Sequence, residues 1–186
     1  MSPASIPDEL KSQGGGMGTS AANRSAEQGA RTKRLLIPVA ASERSRWGVR
    51  YALRQQGSGQ SVQVVLLFVA DPVSAAEVVR FRTHVERARA QAASGAQVLH
   101  DAAQPLVAAG VSCQEVYREG DIVAQIGDVA EQLDCDAIVL PRPHARITKL
   151  LARDVVRDVL KRGGKGVPVV TTDSRGQAEP DSDGGR

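Results

Sequence analysis

Four side chains that can carry positive charge stand close together after residue 140. Arg142, His144, Arg146 and Lys149 lie within the stretch Pro-Arg-Pro-His-Ala-Arg-Ile-Thr-Lys. Guanidinium and ammonium groups bind phosphates and carboxylates through charge-assisted hydrogen bonds. The loop therefore predicts a site for an anionic ligand, and the competing interpretation is a solvated basic loop that binds nothing.

The sequence lacks the common motifs of metal sites, serine nucleophiles and phosphate-binding loops. The histidines His84, His100 and His144 form no His-x-x-x-His pair, and Cys113 and Cys135 are too far apart for a Cys-x-x-Cys pair. Neither a Gly-x-Ser-x-Gly nucleophile turn nor a Gly-x-x-x-x-Gly-Lys phosphate loop is present. We therefore expect no metal site, no catalytic residues and no enzyme activity.

Five short apolar stretches alternate with segments of helical periodicity. The strand candidates cover residues 34–40, 62–70, 111–117, 136–140 and 167–172, and several are almost entirely apolar. Continuous hydrophobicity indicates burial on both faces, as in a parallel sheet. In the third helix, Ile122, Ile126 and Val129 share one face, and Asp121 stands where an N-cap belongs. The alternation predicts a doubly wound α/β fold with a five-stranded parallel sheet.

Such a sheet predicts where a ligand site would lie. Open parallel α/β sheets bind ligands beyond the carboxyl ends of their strands. The first strand ends near Val39 and Ala40, where Ser42 can cap the helix that follows, and the basic loop follows the fourth strand. The expected ligand-binding residues are therefore Val39, Ala40, Ser42, Arg142, His144, Arg146 and Lys149.

Length and composition indicate one soluble domain with tails. The chain has 186 residues, of which 41% are hydrophobic and 24% are charged. Residues 1–31 and 174–186 are polar or small without apolar periodicity and predict disordered tails around a domain at 32–173. Met17 is an alternative start to Met1. Since the sequence has neither a run of 18 apolar residues nor a signal-peptide pattern, we expect a cytoplasmic protein without membrane insertion.

Several segments resemble the universal stress protein family in order and spacing. The family's first strand and helix are matched by LLIPVAASERSRWGVRYAL, and its second strand by LLFVADPV. Its third helix and fourth strand are matched by EGDIVAQIGDVAEQLDCDAIVLPR, and its last helix and strand by RDVVRDVLKRGGKGVPVVTTD. The resemblance implies the sheet order 3-2-1-4-5 in a three-layer, Rossmann-like sandwich of the adenine nucleotide alpha hydrolase type. It also implies a homodimer through the closing strand, from Val167 to Thr172, and a non-catalytic stress-response or regulatory role.

The nucleotide-binding glycine pattern of that family is degenerate in this sequence. The pattern runs Gly, two residues, Gly, nine residues, Gly and Ser or Thr, and its glycines let backbone amides approach phosphates. Pro141 and His144 stand at the first two glycine positions, Asp154 stands near the last, and Ala40 replaces an acidic residue. We therefore expect no cofactor, and ATP and AMP are disfavoured. The alternative is a nucleotide-binding or weakly ATP-hydrolysing member that uses residues 142–149.

Positive charge is concentrated in two segments. Residues 31–54 carry seven Lys or Arg and one acid, residues 55–141 carry five and eleven, and residues 142–165 carry eight and two. With the implied sheet order, we expect the first and fourth helices to share one basic face that could bind an acidic protein or remain solvated. The alternative function is thus an interaction module for an acidic partner or a nucleic acid, although nucleic acid is unlikely because the chain has few aromatic rings to stack on the bases of a single strand. The basic face would consist of Arg46, Arg50, Arg54, Lys149, Arg153, Arg157 and Lys161.

Overall fold

Five strands form a single parallel sheet. The computed structural model describes residues 31–70, 84–143 and 155–178, and the elements below belong to the unit that begins at Thr32. The strands are β1 (Lys33–Pro38), β2 (Val62–Ala70), β3 (Ser112–Glu119), β4 (Ala137–Pro141) and β5 (Val169–Thr172). They lie in the order β3-β2-β1-β4-β5, and every neighbouring pair is parallel. The predicted doubly wound α/β fold is confirmed.

The central strands are buried on both faces, as their unbroken apolar sequences predict. In β2, four consecutive side chains from Val64 to Leu67 have no exposed surface, and the same holds for Leu35, Leu36 and Ile37 in β1. The register places Leu35 beside Val64 on one side and beside Ala137 of β4 on the other. The edge strand β3 is mostly exposed, which explains its more polar sequence.

Four α-helices lie in the part of the chain that the structure describes. They are α1 (Trp47–Gly57), α2 (His84–Ala108), α3 (Ile122–Gln132) and α4 (Val155–Arg162), and two 3-10 helices cover Glu43–Arg46 and Gly163–Gly166. The predicted N-cap of α3 is confirmed, because the Asp121 carboxylate accepts a hydrogen bond from the Ala124 amide at 3.0 Å. None of the described helices combines the length and apolar content that a membrane crossing requires.

The helices pair on the two faces of the sheet differently from our expectation. Side chains of α1 and α2, such as Val49 and Leu106, share one core cluster with Ile37 of β1. Side chains of α3 and α4, such as Ile126 and Val159, share the other. The expectation that the first and fourth helices cover the same face is therefore wrong. Right-handed crossovers from β1 to β2 to β3 run in one direction and place both helices on one face, and the crossovers to β4 and β5 run the other way.

The described chain continues past β5 to Ala178, beyond the residue at which we expected the C-terminal tail to begin. Asp173 and Gln177 exchange hydrogen bonds across a tight turn, and Thr172 forms an antiparallel bridge with Ala178. Gly176 is buried with a φ of 70°, a conformation that glycine adopts without steric cost. Residues 174–178 therefore belong to the folded unit, and the expected tails at 1–30 and 179–186 lie outside the described residues.

Candidate functional site

The turn between β1 and α1 is held by a short network of hydrogen bonds. The Ser45 hydroxyl donates to the Ala40 carbonyl at 2.7 Å and to the Ser42 carbonyl at 2.8 Å. The Ser42 hydroxyl accepts from the Ser45 amide at 3.4 Å, and it thus caps the 3-10 helix in the predicted position. Ser45 is 8% exposed, so these bonds are shielded from water and the turn has one preferred shape.

A pocket of about 360 Å³ lies beside this turn, between the carboxyl end of β1 and the middle of α2. Its volume falls within the range of small-molecule sites, roughly 300–1,000 Å³. The helix contributes both an apolar wall and a carboxylate to it. The described residues that line the pocket are Ala40, Ala41, Ser42, Glu43, Ser45, Arg46, Val98, Asp101 and Ala102.

The described lining of the pocket carries charges of both signs. Glu43 and Asp101 contribute carboxylates and Arg46 contributes one guanidinium. Glu43 forms an ion pair with Arg50, and the Asp101 carboxylate accepts a hydrogen bond from the side-chain amide Nε2 of Gln97 at 2.7 Å. Each of these charged side chains is at least partly exposed to water, so water screens its interaction with a ligand as it does for charges on a protein surface. Among the described lining residues, the carboxylates thus outnumber the guanidinium groups by two to one.

Between Pro141 and Pro143, where the described part of this segment ends, no backbone N–H is left for an anion. Pro141 has no N–H, and the Arg142 amide donates to the Thr172 carbonyl of β5 at 2.9 Å. Pro141 is the last residue of β4 and Arg142 follows it, at the place where the resemblance puts the start of the family's glycine pattern. The sheet thus uses the amide that a phosphate cradle would need.

The predicted ligand-binding residues are only partly brought together. Ala40 and Ser42 line the pocket, whereas Val39 is buried, with its amide bonded to the Leu67 carbonyl at 2.8 Å. Arg142 is exposed after β4 and does not line the pocket. The other three, His144, Arg146 and Lys149, lie outside the described residues, as does Arg153 of the predicted basic face.

Two acidic lining residues were not predicted from the sequence. Glu43 follows Ser42 directly, so its place at the pocket could have been found from the turn alone. Asp101 lies on α2, and nothing in its local sequence distinguishes it from other solvated acids. Its position depends on how α2 crosses the end of β1, which is a property of the packed fold.

The predicted basic face is not one surface. Arg50 and Arg54 lie on α1, with Arg46 just before it, whereas Arg157 and Lys161 lie on α4. Since the two helices pack on opposite faces of the sheet, their basic residues cannot meet one partner surface. The expectation of a joint basic face is a wrong prediction, and it failed because it assigned the helices to the wrong faces.

On the face formed by α3 and α4, basic and acidic side chains neutralise one another. Lys165 forms an ion pair with Asp128 and lies 3.7 Å from a Glu131 carboxylate oxygen. The hydrogen bond to Asp128 raises the pKa of the Lys165 ammonium. Arg162 lies 3.9 Å from Asp121 across the same surface. Acidic residues of the segment 55–141 and basic residues of the segment 142–165 therefore meet on one face of the sheet instead of separating onto two.

The two cysteines are ordinary buried or half-buried thiols. Burial raises the pKa of Cys113 to about 11, with a smaller contribution from Glu115, and burial also raises the pKa of Cys135 to about 11. Both therefore carry protons at neutral pH and are poor nucleophiles. Within residues 31–70, 84–143 and 155–178, no cluster of His, Cys, Asp and Glu is arranged to hold a metal ion.

Solved structures with the same fold support the assignment of the architecture. A universal stress protein family member from Burkholderia pseudomallei has 17% sequence identity and a TM-score of 0.59, over 77% of this chain and 97% of that one. The universal stress protein UspA from Lactobacillus plantarum has 18% identity and a TM-score of 0.58, over 77% and 99%. A family protein from Arabidopsis thaliana, solved with AMP bound, has 14% identity and a TM-score of 0.54, over 76% and 91%.

Sequence comparison identifies the family directly. No curated protein gives a significant match to the chain. The model of the universal stress protein family matches residues 31–171, which include β1 to β4, all but the last residue of β5, and the turn beside the pocket. The resemblance inferred from the segments is thereby confirmed, and this chain belongs to the universal stress protein family.

Proposed function

We propose that this protein is a non-catalytic, cytoplasmic regulatory module that binds a neutral or cationic small ligand in the pocket between β1 and α2. The proposal rests on the backbone N–H groups at the end of β4. The Arg142 N–H donates to the Thr172 carbonyl, and Pro141 has no N–H. A nucleotide held through its phosphates needs free amides at that place. The protein would therefore bind ligands without the phosphate contacts of the family's glycine pattern.

The pocket charges support the same ligand class. Among the described residues that line the pocket, a phosphate group would face the Asp101 and Glu43 carboxylates and one guanidinium, that of Arg46. At about 6 Å and an effective dielectric constant of about 40–80, one carboxylate costs a unit negative charge roughly 0.7–1.4 kcal/mol. A hydroxyl or amine would instead donate hydrogen bonds to the same oxygens.

The competing function is nucleotide binding through side-chain cations. The Arabidopsis thaliana relative was solved with AMP bound, and Arg142 stands exposed at the end of β4 in this chain. In that case side chains of the basic loop would replace the missing amides. The proposed ligand is neutral or cationic, whereas a nucleotide is anionic, so one titration series that varies ligand charge distinguishes the two functions.

Adenosine, AMP and ATP provide that series, since they share base and ribose and differ in phosphate charge. We expect calorimetric titration to give the affinity order adenosine, then AMP, then ATP, with no phosphate release from ATP. Asp101→Asn should raise AMP affinity about threefold to tenfold, the Coulomb term for one carboxylate, and leave adenosine affinity unchanged.

The matched control is Glu115→Gln, which removes one negative charge from the exposed edge strand β3, outside the pocket lining. It should leave AMP affinity at the wild-type value. Micromolar binding of AMP or ATP, tighter than adenosine and weakened by Arg142→Ala, would establish the competing function instead.

The proposal includes a homodimer formed through β5. This strand stands at the edge of the sheet, and Val169 and Val170 are only half-buried within one chain. Pairing with a second copy would continue the sheet and cover these side chains. Light scattering at micromolar concentration tests it, and a strictly monomeric mass at all concentrations would contradict the dimer.

A further inference from the structure

The outer edge of β5 has only a few backbone groups available for pairing. Pro168 and Thr172 direct their carbonyls toward β4, where they accept from the Ile138 amide at 2.8 Å and the Arg142 amide at 2.9 Å. Backbone groups alternate in direction along a strand. The groups of Val169, Thr171 and Asp173 therefore point outward, to the side on which a second chain would add.

The chain's own C-terminal segment already occupies the end of that edge. The Asp173 amide, which points outward, donates to the Gln177 carbonyl at 3.0 Å, and Ala178 bridges antiparallel to Thr172. The Asp173 carboxylate accepts from the Gln177 amide at 2.8 Å and from the Arg175 amide at 2.9 Å. We call residues 173–178 the C-terminal clamp.

Two further contacts hold the clamp against α1. A Cβ on Gly176 would lie 2.6 Å from the carbonyl carbon of Arg50 and 2.6 Å from the Tyr51 nitrogen, so only glycine fits there. The Arg50 guanidinium donates to the Ser174 carbonyl at 2.8 Å. The same guanidinium pairs with Glu43 at the pocket, so it joins the clamp to the turn after β1.

We propose that the C-terminal clamp is an autoinhibitory contact that competes with a second copy of this chain for the outer edge of β5. With the clamp docked, the described outer edge offers a partner strand only Val169 and Thr171, and this shorter ladder weakens the pairing. With the clamp released, the ladder extends through Asp173. The proposal rests on the β5 dimer proposed above and adds its regulation.

Sedimentation equilibrium over a concentration series tests the competition with the full-length chain. Gly176→Ala should release the clamp through its clash with the α1 backbone, and Asp173→Ala should release it through loss of the carboxylate that organises the turn. Each variant should dimerise about tenfold more tightly than the wild type, as expected when a competing contact of one or two hydrogen bonds is lost.

The controls separate clamp release from general destabilisation. Arg175→Ala changes an exposed side chain of the same turn and should keep the wild-type dissociation constant. Adding Thr171→Pro to Gly176→Ala removes an outward N–H without touching the bonds to β4, and it should abolish the gain. Hydrogen exchange of residues 174–178 reports whether the clamp is released in each folded variant.

The results distinguish a failure of the proposed competition from a failure of the proposed dimer. If hydrogen exchange shows the clamp released in Gly176→Ala and Asp173→Ala while their dissociation constants stay at the wild-type value, competition is refuted and the dimer stands. If neither the wild type nor any variant associates, the dimer and the clamp's role are both refuted. The adenosine and AMP titrations remain an independent test of the ligand proposal.

Discussion

Replacing Gly48 by alanine tests how closely α1 packs against β1 beneath the pocket. Gly48 is the second residue of α1 and is buried. A Cβ there would lie 2.7 Å from Cγ2 of Ile37, and 3.5 Å from both Cγ1 and the carbonyl oxygen of Val139. Real Cβ contacts of 2.7 Å essentially never occur, so either the helix or the Ile37 methyl must move.

The expected cost is the difference between two opposing terms. Alanine gains at most about 1 kcal/mol over glycine in helix propensity, and less in the first turn. Overpacking a filled core costs about 1–3 kcal/mol, and Ile37 has no exposed surface into which it could turn. We therefore expect Gly48→Ala to destabilise the protein by about 1–2 kcal/mol, equivalent to a fall in Tm of about 3–8 °C.

Thermal and urea unfolding followed by circular dichroism measure the effect. Gly57→Ala is the matched control, because it makes the same substitution in the same helix with nothing within 4 Å of the added carbon. It should leave Tm unchanged or raise it slightly. If Gly48→Ala behaves like Gly57→Ala, the inferred close approach of α1 to β1 is wrong.

Three further predictions follow from individual contacts. Asp121→Ala removes the cap of α3 and should cost about 1 kcal/mol in the same urea assay, whereas Asp121→Asn should cost much less. Hydrogen bonds from the backbone amides of Gln177 and, less strongly, of Arg175 lower the pKa of the Asp173 carboxyl below its ordinary 3.8. The turn's contribution to stability is thus present above pH 3.8 and is lost as the pH falls through the lowered pKa. The protection factor of the Gln177 amide, which compares its exchange rate with the intrinsic rate at the same pH, should therefore fall only there, and a constant protection factor across that range would contradict the prediction. Burial raises the pKa values of Cys113 and Cys135 from 9.0 to about 11, so the free energy of unfolding should fall between pH 9 and 11. Both thiols should also react with a disulfide reagent far faster in urea than in buffer.

The elements of the fold could be predicted from local sequence because each leaves a local pattern. Strand β2 is a run of apolar residues that has to be buried on both faces, and α3 repeats its apolar residues every three or four positions after a capping Asp121. The strand ends were predicted less well. The closing strand begins at Val169 and not Val167, since Pro168 supplies no amide to the ladder.

Family membership and the altered phosphate loop were also readable from the sequence. The matched segments recur in order along the chain, and the family model covers residues 31–171. Pro141 rules out an amide at its position whatever the fold does. That the next amide, of Arg142, is also occupied required the pairing of β4 with β5 to be known.

Contacts between distant segments depended on the tertiary structure alone. The handedness of the crossovers places α1 with α2 and α3 with α4, and this separates Arg50 from Arg157, two residues that sequence reasoning had joined. Asp101 reaches the pocket only because α2 packs across the end of β1. Residues 174–178 read as a polar tail, yet Gly176 packs on α1, since a segment's own composition does not record the surface that receives it.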